Sequence, residues 1–107
     1  MLYKFKSKAA GDLIMTAPVG DRVMQLVGRE PAPQGIFLPA QMPAAIAALE
    51  QGIADEERAR REAEAEAAAE GRTFPPPKEV SLRQRAWPFI EMLRRAHAAD
   101  KDIVWGV

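Results

Sequence analysis

The stretch GREPAPQGIFLPAQMPAAIAALE, residues 28–50, decides how this chain folds. Four prolines and two glycines surround one small apolar knot before the sequence turns Ala-rich. Pro31 and Pro33 fix φ and favour extended backbone, and Gly35 closes a turn begun at Ala32 or Pro33. Leu38 precedes Pro39 and is pushed out of the α region. Pro43 fits the first position of a helix, where its missing N–H costs nothing. Met42, Ile46, Leu49 and Ile53 then fall within about 60° of one another at helical pitch, which predicts a helix with one core face. Ile36, Phe37 and Leu38 either form a stiff recognition surface or plug the end of the core. Three adjacent large apolar groups are costly in water, which favours the plug. Arg29, Glu30 and Gln34 are then the exposed, binding part of the loop.

Towards the N-terminus the period changes. LYKFK alternates, with Tyr3 and Phe5 on one side and Lys4 and Lys6 on the other, as a half-buried strand does. DLIMT, residues 12–16, is a second β-compatible run, and residues 7–11 can close a hairpin between the two. Pro18 and Gly20 punctuate the chain. Asp21 stands where an N-cap belongs, ahead of Val23, Met24, Leu26 and Val27, and Gly28 ends that short helix.

Towards the C-terminus the apolar stripe fails. At the same pitch the core line meets Glu56, Arg60 and Glu64, so DEERARREAEAEAAAEG leaves the body of the domain. Its Ala, Glu and Arg content still favours helix, and Glu56–Arg60 and Glu57–Arg61 have the favourable i,i+4 order. Residues 55–70 therefore read as an exposed, charged helical arm. Residues 71–79 read as a proline-rich link. Formal charge is +1 over residues 1–53, −4 over 54–70 and +3 over 71–107, so the arm can lie against the basic C-terminal third. Ser81 and Gln84 form a capping box for a last helix, with Leu82, Ala86, Phe89, Ile90, Leu93 and Ala96 on one face. Pro88 should kink that helix or delay its start. DIVWGV ends the chain in strand formers that pair with residues 2–6. The expected fold is α+β: one domain over 1–107, with a small, mostly antiparallel three-stranded sheet covered on one face by two to three helices.

The chemistry is defined mostly by what is missing. With no cysteine, thiolate nucleophiles, disulfides and Cys-ligated metals are excluded. His97 is the only histidine, and Ser81 lies 16 residues before it on one helix, about 24 Å away, far beyond hydrogen-bond reach. Glu62, Glu66 and Glu70 form a straight row, whereas hard cations take convergent oxygens from a bent loop. PVGDRV lacks the repeated glycines and the lysine of a phosphate loop. No catalytic residue, metal or cofactor is therefore assigned. A net charge of zero argues against nucleic acid, and no apolar run approaches the ~18 residues of a membrane span. Absence of cysteine and of a leader-like apolar run suits the cytoplasm.

Arg83, Trp87 and Arg94 cluster beside the apolar face of the last helix. They form a basic, aromatic binding stripe, or the arginines pair with the acidic arm over Trp87. Across the whole chain, MLYKFKSKAAGDLIM, GREPAPQGIFLPAQMPAAIAALE, VSLRQRAWPFIEMLRRA and DIVWGV resemble the proteobacterial domain-of-unknown-function family numbered 1840. The resemblance implies a small cytoplasmic bacterial protein and assigns no functional residue. The expected role is a non-enzymatic protein-interaction or regulatory module, with a protein partner or a homo-oligomer. The alternative is a small-ligand-binding domain with a pocket near the 29–38 loop and the last helix, reported by Trp87 or Trp105.

Overall fold

A computed structural model describes residues 2–75 and 80–107. Strand β1 (Leu2–Ser7) and strand β2 (Ala10–Thr16) form the expected antiparallel hairpin, with Tyr3 opposite Met15 and Phe5 opposite Leu13. Between Phe5 and Ser7 the register slips by one, so Gly11 and Asp12 bulge opposite Lys6. The alternation is strict: Tyr3 and Phe5 are buried, while Leu2 and Lys4 are exposed.

Helix α1 (Ala17–Leu26) follows β2 without a loop. Its N-cap is Thr16, and Pro18 stands in its first turn, where a missing N–H is harmless. Asp21 is therefore not the N-cap. It lies one turn inside, where its carboxylate accepts a hydrogen bond from the Tyr3 hydroxyl at 2.5 Å. Gly20 does not punctuate the chain either. It is buried in the helix, and a Cβ there would come within 2.0 Å of the Tyr3 ring. Gly28, with φ of 80°, ends α1 as expected, and the Arg29 N–H closes the motif on the Met24 carbonyl at 2.8 Å.

The quoted stretch contains the main departure from expectation. Gly35–Phe37 is a strand, β3, and the sheet has four strands where three were expected. The 3₁₀ turn Pro39–Gln41 leads from it directly into helix α2 (Met42–Ala69), with Pro43 in the first turn. After α3 (Leu82–Ala98) the chain ends in β4 (Ile103–Trp105), which inserts between β1 and β3 and is antiparallel to both. Sheet order is β2-β1-β4-β3, and the helices cover one face.

The plug reading holds for one residue of three. Phe37 is buried at 1% exposure, whereas Ile36 and Leu38 stand 39% and 46% exposed. Alternation along β3 forces this split, because Ile36 opposes Val104 and Phe37 opposes Ile103. Under the sheet Phe5, Phe37, Phe89 and Trp105 meet with ring centroids 4.5–5.7 Å apart. Gly35 admits the Trp105 ring, which would lie 2.4 Å from a Cβ at that position. Met42, Leu49 and Ile53 of α2 are buried beside this cluster and Ile46 packs half-buried, as the stripe predicted.

Helix α2 is continuous for 28 residues, about 42 Å, in a molecule 52 Å along its longest axis. It does not fray. Gly71 at φ 73° stops it, with the Arg72 N–H bonded to the Ala67 carbonyl at 2.8 Å. Helix α3 begins at Ser81 with the expected capping box, so Pro88 sits inside the helix and does not delay its start. Of the proline-rich link, residues 76–79 lie outside the described residues.

Candidate functional site

The loop residues singled out from sequence do different jobs. Arg29 is half-buried. Its guanidinium donates to the Ile36 carbonyl at 2.6 Å and to Gln41 Oε1 at 2.8 Å, and lies 4.1 Å over the Phe37 ring. Gln41 Oε1 also accepts from the Leu38 N–H at 2.8 Å. Burial lowers the Arg29 pKa from its ordinary value. The result is a brace along strand β3. Glu30 and Gln34 are exposed. Trp105 is 3% exposed, and its indole N–H donates to the Ala32 carbonyl at 3.0 Å, so its polar edge is already satisfied.

The helical stripe is held by α2. Arg83 makes a two-pronged bond to Glu57, both contacts at 2.8 Å, and Arg94 reaches Glu50 at 3.2 Å and Glu91 at 2.9 Å. The hydrogen bond from Arg83 holds the Glu57 carboxyl below the usual carboxylate range, and Glu57 raises Arg83 in turn. Trp87 lies between these pairs, 42% exposed, with the Arg94 guanidinium 5.3 Å over its ring. The arginines thus pair with α2 glutamates. Glu56 is equally occupied: it accepts from the Leu82 N–H at 2.9 Å and from Arg22 at 3.4 Å, and so caps α3 from α2.

The clefts lined by described residues include two of note. One, of about 900 Å³, opens between the starts of α1 and α3 and the middle of α2, with Arg22, Arg60, Arg85 and Glu57 around Val19 and Leu82. The other, of about 460 Å³, lies by the hairpin turn, with Lys6, Lys8, Lys101 and Asp102. Neither is lined by loop residues 29–38. Among the described residues no charged side chain is buried, and no group of three His, Asp or Glu side chains is placed to hold a metal ion. His97 is exposed. Among the described residues Tyr3 alone is shifted far: burial, the hydrogen bond to Asp21 and its negative charge push the phenol up to about 12.

The surface that sequence reasoning missed is the outer face of the sheet. Leu2, Ile14 and Ile36 point away from the helices and are 64%, 59% and 39% exposed. Lys4 sits opposite Ile14 and forms an ion pair with Asp12 at 3.7 Å. This face was visible as the other half of the alternation in LYKFK and DLIMT. The apolar residues on it, Leu2 and Ile14, were the signal.

A family model described as a domain of unknown function, DUF1840, matches residues 1–105. The chain belongs to that family. The resemblance carried by the four sequence blocks therefore stands, and family membership assigns no reaction, ligand or partner. No curated protein and no solved structure matches the chain. Among the described residues no helix is long and apolar enough to cross a membrane.

Proposed function

We propose that this chain is a non-enzymatic protein-interaction module that docks through the uncovered face and free β2 edge of its sheet. One contrast carries the reading: the two edges of the sheet are treated differently. At β3 the Ile36 carbonyl and the Leu38 N–H are held by Arg29 and Gln41. At β2, among the described residues, no backbone group of residues 12–16 bonds to anything beyond β1 and the start of α1. An edge left unpaired beside exposed Ile14 and Leu2 is a template for a partner strand. Ion pairs within the molecule occupy Glu57, Arg83 and Arg94, which leaves the helical stripe less free to recruit a partner. We take the whole chain as one cytoplasmic domain in which residues 55–70 form a charged extension of α2.

A photoreactive residue placed at position 14, and separately at position 87, tests this in the host cell. Protein adducts from position 14 and none from 87 are expected. Adducts from 87 alone overturn the sheet reading in favour of the helical stripe.

A second reading, binding of a small anionic ligand, is supported by the cleft between α1, α2 and α3, where Arg22, Arg60 and Arg85 outnumber Glu56 and Glu57. Calorimetric titration with di- and tricarboxylates should then give heat that Arg85→Ala abolishes. Silence across the series rejects it.

A further inference from the structure

We infer that the occupant of the β2 edge is β2 of a second copy, paired antiparallel about a twofold axis through Ile14. This rests on the reading that the β2 edge is the docking surface. The usable part of that edge is short. The bulge at Gly11 and Asp12 breaks the register on one side, and α1 starts at Ala17 on the other. Residues 12–16 remain, and Ile14 is their centre. A twofold axis perpendicular to the sheet pairs each residue with one on the same face, so only a few registers exist.

Charge and side-chain type select among them. An axis at Asp12 sets Asp12 against the partner's Asp12, a like-charge pair. An axis at Leu13 sets each Asp12 against the partner's Ile14. An axis at Met15 leaves only residues 14–16 to pair. An axis at Ile14 pairs the two isoleucines, each 59% exposed in one copy, and sets Asp12 against the partner's Thr16, whose hydroxyl can donate to it. On the inner face it brings half-buried Leu13 against the partner's Met15, extending both cores. Lys4 keeps its pair with Asp12, and the two Lys4 residues stand about three strand spacings apart, roughly 14 Å. The product is one continuous eight-stranded sheet, ended on both sides by an Arg29-braced β3.

The chain has no cysteine, so one introduced thiol reports the axis directly. Ile14→Cys should oxidise to a disulfide-linked dimer, because residues facing across an antiparallel pair bring their Cβ atoms to about 4.5–5.5 Å. Leu38→Cys, exposed at the braced edge, should stay reduced under the same conditions. Sedimentation equilibrium should show a dimer for the wild type, and Ile14→Lys should weaken it by about tenfold or more by facing two lysines across the axis. Near-ultraviolet circular dichroism confirms that each variant is folded. A wild type that stays monomeric at high concentration overturns the inference, and so does a dimer that Ile14→Lys leaves unchanged. If the wild type is monomeric while the probe at position 14 still captures a different protein, the second-copy inference fails and the docking surface stands. If the probe at 14 captures nothing and the dimer persists in Ile14→Lys, both fail.

Discussion

The two edge strands of this sheet are built from opposite materials. β2 is seven residues of alternating sequence, and its strand partner β1 is its neighbour along the chain, joined to it by a tight turn. β3 is three residues between prolines, and everything around it is borrowed. Its partner β4 is the last strand of the chain, its buried anchor Phe37 sits on Phe89 and Trp105, and its outer side is braced by Arg29. The strand that is strongest locally is left open, and the weakest is closed on every side. A short strand gains too little from its own ladder to offset the entropy of ordering it, so it persists only where side chains add contacts.

Removing the anchor should break this arrangement most. Phe37→Ala is expected to cost about 3–5 kcal/mol by denaturant unfolding, whereas Ile36→Ala, one residue away but half-exposed, should cost under about 1 kcal/mol. Equal costs would mean that β3 is not anchored through its inner face.

Alkali attacks the other side of the sheet. Tyr3 ties β1 to α1 through Asp21, and its phenol is raised to about 12 in the fold against 10.0 for a free tyrosine. A group with a raised folded pKa stabilises fully below its unfolded value and loses that contribution as pH rises through the folded one. Stability should therefore fall between pH 10 and about 12, and Tyr3→Phe should remove that slope. An absorbance titration combined with thermal melts reads both.

Arg29→Ala comes next, at about 0.5–1.5 kcal/mol, because it removes the donor to the Ile36 carbonyl. Amide exchange at Ile36 and Leu38 should accelerate, with β2 amides unaffected. Arg29→Lys should not restore protection, since a single ammonium cannot serve Ile36 and Gln41 with the same fork. The smallest effect belongs to the open edge. Ile14→Lys should change monomer stability by less than about 0.5 kcal/mol, because Ile14 buries little within one copy.

Legibility followed the range of the interactions. The hairpin was readable because Tyr3 and Phe5 alternate with Lys4 and Lys6, and the last helix because Ser81 and Gln84 cap it within four residues. The start of α1 was misread because Asp21 is the better cap by residue type. Tertiary contact with Tyr3 claims its carboxylate, and Thr16 with Pro18 begins the helix instead. Glu56 was read as a sign that the helix leaves the body, yet it bonds the α3 backbone 26 residues away in sequence. Among the candidate binding residues, Arg29 and Trp105 bond to this chain's own backbone, a use that residue type alone does not reveal.

The sequence by itself determined what depends on neighbours along the chain: the period-two strands, the caps, the apolar stripe of α2 and the exclusion of thiol chemistry. Only the tertiary structure decided that Gly35–Phe37 is a strand, that β4 lies in the middle of the sheet, and which edge is braced. The physical reason is that strand pairing is a contract between distant segments. Its hydrogen bonds and side-chain contacts exist only once β4 has come back to lie between β1 and β3.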